Sequence, residues 1–147
     1  MITGFYFLLL LMASVEDYRS HTVKSQWVFL VWVLGIINIV LYKENRWVTV
    51  TLTCICFLVL WLVYLLVKRA EEPALNFGGA DVKLIPAMML VQGWDMALAG
   101  VFLGLFLSLV YYLMIKKMRK DIPLVPWMTA GCFLVEIIYL FSGKSVL

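Results

Sequence analysis

The sequence predicts an all-α membrane protein: a polytopic bundle of six transmembrane helices, with the first and fourth short. Three observations lead there. Of 147 residues, 65% are hydrophobic, against roughly 45–50% in a soluble domain. Only 14% are charged, where a soluble domain carries about 25%. The apolar residues also fall into six runs parted by polar connections, giving a mean hydropathy of +1.00. One soluble core could not hide that much apolar surface, so lipid must cover part of it.

The runs are 2–15, 27–42, 47–67, 81–91, 94–115 and 127–141. A span takes about 20 residues, range ~17–25. The third and fifth runs meet this comfortably, and the second and sixth lie near the lower limit. The first and fourth need help from flanking polar residues or a thinned bilayer. The first run lacks the basic start of a signal peptide, and Glu16 and Asp17 follow it where small residues would mark a cleavage site. It reads as a retained helix. Trp27, Trp47, Trp94 and Trp127 each open a helix, as interfacial anchors do. The fourth helix is entered from Ala80 or Asp81, after the longest polar connection, 68–79. Its glycine pair permits positive φ or the close approach of another backbone. No repeat, low-complexity tract or long linker interrupts the chain, so 1–147 reads as a single membrane domain.

Charge sets the expected orientation. Connections one, three and five hold nine Lys and Arg: Arg19, Lys24, Lys68, Arg69, Lys83, Lys116, Lys117, Arg119 and Lys120. The opposite side holds three, Lys43, Arg46 and Lys144. Positive residues stay inside, which predicts both termini outside and Asp17 and Asp81 together at the cytoplasmic face. The net charge of +3 is spread over these connections, with no basic tract among exposed aromatics. Lipid, and no nucleic acid, is the expected surrounding.

The candidate chemistry lies in the acids. An aspartate at a helix end is commonly a cap or a solvated flank. Asp81 begins a helix, so capping is a real alternative for it. Asp17 ends one, where a negative charge meets the negative end of the dipole, so capping explains it less well. Two carboxylates brought together share a proton, and one of them becomes an acid while the other stays a base. Such a pair can activate water and protonate a leaving amine. A small transporter or assembly factor with proton- or cation-binding aspartates is the other reading. The position of both acids near one membrane face, beside a glycine turn, favours the protease.

The other polar residues read more plainly. Cys54, Cys56 and Cys132 form no C-x-x-C pair, and the first two project about 200° apart on a helix. They read as small apolar fillers, and no metal or other cofactor is expected. His21 reads as a solvated loop residue, and so do Glu71 and Glu72. Lys83 either favours the ionised form of Asp81 or marks the cytoplasmic boundary. Glu136, midway along the sixth helix, is expected to pair with a polar group of the bundle such as Asn38.

The stretch Gly78-Gly79-Ala80-Asp81-Val82-Lys83-Leu84 resembles the Gly-x-Gly-Asp signature of type IV prepilin peptidases, with Ala80 in place of the second glycine. Asp17-Tyr18-Arg19-Ser20-His21-Thr22-Val23 resembles the family's first-aspartate motif, followed by Lys24-Ser25 where Pro-Asn is usual. Gly35 falls where the family often has a glycine in its second helix. Ile122-Pro123-Leu124-Val125-Pro126-Trp127 resembles the run that opens the last helix. The resemblance implies that Asp17 and Asp81 are the catalytic residues, with Gly78, Gly79, Ala80 and Lys83 positioning the site. It implies cleavage of a short basic leader from prepilin-like precursors at the cytoplasmic face of the cell membrane. It implies a compact form without the methyltransferase region, serving tight-adherence pili or similar machines.

Overall fold

The computed structural model describes residues 2–20, 22–42, 46–69, 79–115 and 123–142. They form six helices and, among the described residues, no strand: α1 (Ile2–Ser20), α2 (Ser25–Tyr42), α3 (Arg46–Arg69), α4 (Gly79–Gln92), α5 (Trp94–Ile115) and α6 (Leu124–Phe141). Helices suit a membrane because each satisfies its own backbone hydrogen bonds. Three helices are long and apolar enough to cross a bilayer, those starting at Arg46, Trp94 and Leu124, and 25–41 is a shorter apolar helix. The chain is a membrane protein.

Helix ends differ from the apolar runs in instructive ways. The apolar part of α1 stops at Val15, yet the helix continues through Glu16, Asp17 and Arg19 to Ser20. Its backbone bonds are complete without apolar side chains, so Asp17 stands in the last turn rather than beyond it. α6 starts at Leu124, ahead of Trp127, with Pro123 as N-cap. Pro126 fits inside because the first turn has no need of its amide. A single residue, Gly93, separates α4 from α5, at φ 100°. Only glycine takes this left-handed conformation without strain. Its amide closes α4 on the Met89 carbonyl at 3.0 Å, and its carbonyl starts α5 through Ala97 at 3.0 Å.

α4 lies at the centre, packed by α1, α2, α3 and α5, while α1 also packs on α2 and α6. The core gathers where they meet, around Tyr6, Leu10, Leu84, Met88 and Met128. Lipid tails are as apolar as leucine, so close packing and interhelical hydrogen bonds must hold such helices together. Both are visible. A Cβ on Gly35 would stand 2.6 Å from the Cβ of Leu90, so the glycine lets α2 press on α4. Gly100 and Gly104 of α5, spaced as Gly-x-x-x-Gly, face Gly131 of α6, where a Cβ would collide with the backbone of both. Asn38 donates to the Val91 carbonyl at 2.7 Å, holding α2 to the end of α4.

Glu136 pairs with a polar group of the bundle, as expected, but that group is Gln92 and not Asn38. Its Oε2 accepts from Gln92 Nε2 at 3.3 Å, and Gln92 Oε1 in turn accepts from the Tyr6 hydroxyl at 3.2 Å. Asn38 is already committed to α4's backbone. The acid instead joins α6 to α4 and α1.

Candidate active site

Asp17 is buried, with 8% of its surface exposed. Its Oδ2 accepts the backbone N–H of Val125 at 3.2 Å. Local sequence explains why that amide is on offer. The first amides of a helix have no carbonyl partner within it, and Pro123, the N-cap of α6, makes no side-chain capping bond. Pro123 and Pro126 carry no amide hydrogen, which leaves the N–H groups of Leu124 and Val125 to be satisfied. Asp17 serves Val125 from a neighbouring helix. The unfavourable carbonyl end of α1 is thereby set against the positive N-terminal end of α6, which favours a carboxylate.

Asp81 is equally buried, at 7% exposed, in the first turn of α4. It stands at the positive end of its own helix. Its neighbours Val82 and Leu84 are fully buried. Lys83 is exposed, but its carbonyl accepts the indole N–H of Trp32 at 3.0 Å, fastening α2 to the turn that carries Asp81. Pro86, inside α4, supplies no amide for the carbonyl of Val82, one residue after Asp81. Gly79 and Ala80 form the start of α4. Gly78, His21, Glu71, Glu72 and the basic run 116–120 lie outside the described residues.

The depths of the two acids follow from a cross-link at the far end. α2 runs parallel to α4, since Trp32 meets Lys83 and Asn38 meets Val91. α1, joined to α2 by the short connection before Ser25, is therefore antiparallel to α4. Tyr6 and Gln92 are hydrogen-bonded, and each aspartate lies eleven residues away along its own helix. At ~1.5 Å per residue each aspartate lies about 16 Å along its helix from that bond, toward the same end of the bundle.

Beside Asp17 the chain turns into α2 under the control of Glu16. Its Oε1 pairs with Lys24 Nζ at 2.6 Å, and its Oε2 accepts the Lys24 amide at 3.2 Å. The hydrogen bond from the Lys24 side chain holds the Glu16 carboxyl below its usual range, helped by the amide and against partial desolvation. Cys132 is buried and Cys54 exposed. Among the described residues, no three His, Cys, Asp or Glu side chains gather in a way that could hold a metal ion.

Several residues of this region are absent from the sequence motifs: Tyr6, Ser14, Gln92 and Thr129. Tyr6, Ser14 and Asp17 fall on one face of a 3.6-residue helix, a polar line in an otherwise apolar segment. That line was the available signal. The partners on α4 and α6 had none, because pairing across helices leaves no mark on either sequence.

A sequence model of the type IV leader peptidase family matches residues 4–113. The match takes in both aspartates and stops before α6. No curated protein and no solved structure matches the chain.

Proposed function

The chain belongs to the type IV leader peptidase family, whose members are aspartic-type endopeptidases, and we propose that Asp17 and Asp81 together cleave the leader of prepilin-like precursors at the cytoplasmic face. The observation that carries this reading is that both acids are buried, each eleven residues from the Tyr6–Gln92 bond along its own helix. The nine-to-three distribution of Lys and Arg supports a cytoplasmic site and both termini outside.

In this reading one aspartate is ionised and the other protonated. We assign the base to Asp17, whose Oδ2 accepts the Val125 amide, and the acid to Asp81. Asp17 takes a proton from water, and the hydroxyl oxygen bonds to the carbonyl carbon of the scissile peptide. Asp81 gives its proton to the carbonyl oxygen. Collapse of the tetrahedral intermediate breaks the C–N bond, and the amine leaves with a proton returned through the pair.

The test is processing of a co-expressed precursor by Asp17→Asn and Asp81→Asn variants. Asparagine can still accept the Val125 amide, so α6 stays capped and the protein inserts. It cannot shuttle a proton, so each variant should lose cleavage by about a thousandfold or more. The double variant should be hardly worse, because the two groups act as a unit. Processing at the wild-type rate by either variant would refute the dyad. Reporters fused at Gly4 and reading cytoplasmic would refute the orientation.

A further inference from the structure

The contacts between α1 and α6 fall on successive rungs. Asp17 meets Val125, and one turn deeper Ser14 Oγ and Thr129 Oγ1 lie 2.8 Å apart. Both hydroxyl residues are buried, at 7% and 5% exposed. Each oxygen also touches a carbonyl of its own helix: Ser14 on Leu10 at 2.7 Å, and Thr129 on Val125 at 2.8 Å. A hydroxyl has one hydrogen, so two hydrogens serve three contacts. In one arrangement Ser14 donates to Thr129 and Thr129 to the Val125 carbonyl. In the other Thr129 donates to Ser14 and Ser14 to the Leu10 carbonyl. Either way one hydrogen bond crosses between the helices.

We propose that Ser14 and Thr129 are positioning residues for Asp17, fixing α6 against α1 so that the Val125 amide meets the carboxylate. The proposal rests on the reading of Asp17 as one of the catalytic pair. The Asp17–Val125 distance of 3.2 Å is already at the long end for an N–H···O bond. A slight slide of α6 therefore ends it. The hydroxyl pair is a polar tie one turn away that opposes such a slide, since Ser14 is three residues before Asp17 and Thr129 four after Val125.

A packing role and a positioning role separate in one variant. Ser14→Ala with Thr129→Val removes both hydroxyls, orphans neither, and is expected to cost little stability. If the pair only filled space, this double variant would cleave normally.

The experiment measures steady-state cleavage of a precursor by the full chain in membranes, alongside its thermal unfolding. Thr129→Val, Ser14→Ala and the double variant should each lose about tenfold or more in kcat with KM held within about twofold. The double variant should unfold near the wild-type temperature. Thr129→Ser, which keeps the hydroxyl, should restore most of the rate. Wild-type kcat in the double variant overturns the proposal, as does a Thr129→Ser variant as slow as Thr129→Val, or a loss carried by KM. Should a single variant fail to accumulate, the double variant and Thr129→Ser decide. Asp17→Asn in the same assay separates the two claims. If it cleaves normally, the reading of Asp17 is wrong; if it is inactive while the double variant is fully active, only the positioning role falls.

Discussion

α3 and α4 are opposites. α3 is the longest helix, 24 residues, with the highest mean hydropathy of the candidate spans and only 6% of its apolar window buried. α4 has 14 residues, and from Val82 to Gly93 every residue except Lys83 is buried. The candidate span with the most apolar window is therefore largely exposed, while the shortest helix forms the centre. In a soluble protein apolar residues mark the core. In a bilayer they are equally content facing lipid, and burial follows packing partners and polar ties instead. Asp81 lies on the shielded helix, while Asp17 is buried on α1, whose other face carries exposed Leu8, Leu11 and Val15.

Paired truncations give that contrast its largest test. Met88→Ala in α4 removes a side chain that is 0% exposed and leaves a cavity among four helices. It should cost about 2–5 kcal/mol. Leu62→Ala in α3, where the side chain is 59% exposed, should fall within about 0.5 kcal/mol of wild type. Reversible unfolding in detergent or bicelles measures both, and equal costs would break the comparison.

A smaller effect is expected where α4 is tied to α1. Gln92→Leu leaves the Tyr6 hydroxyl without its acceptor and should cost about 1–2 kcal/mol. If that bond holds the relative depth of α1 and α4, cleavage should drop further than the stability loss accounts for. Glu136→Gln keeps an oxygen that can accept from Gln92 and should retain substantial activity. A Gln92→Leu variant of normal activity would show that the register is set elsewhere.

The smallest effect belongs to the exposed turn beyond α1. Lys24 lowers the pKa of Glu16, so Glu16 stabilises the fold above the ordinary carboxylate range and loses that contribution as pH falls through its lowered folded-state pKa. The gap in unfolding midpoint between wild type and Glu16→Gln should thus be small at neutral pH and vanish in acid. A gap that widens in acid would reverse the sign and refute the pairing.

Much of this was legible in the residues. The six apolar runs became six helices, because hydropathy and backbone satisfaction act locally and need no partner. The family followed from short motifs about Asp17 and Asp81, and the match over 4–113 bears it out. Gly35 carried a meaning the structure makes physical, the close approach of Leu90. The spacing of Gly100 and Gly104 is likewise a packing motif, made physical by the close approach of Gly131 in α6.

Other features belonged to no single segment. The sequence placed an acid at the end of α1, where its own helix dipole is unfavourable; only the fold brought the free amide of Val125 to it. The sequence predicted a polar partner within the bundle for Glu136, with Asn38 as one example; packing supplied Gln92, while Asn38 bonds the Val91 carbonyl. Ser14 and Thr129 are unremarkable until two helices bring them to 2.8 Å. Helix formation is settled by neighbours within about four residues, so the chain alone determined its class, its segments and the acids worth testing. Which acid meets which donor depends on the rotation and depth of one helix against another, and only the packed bundle decides that.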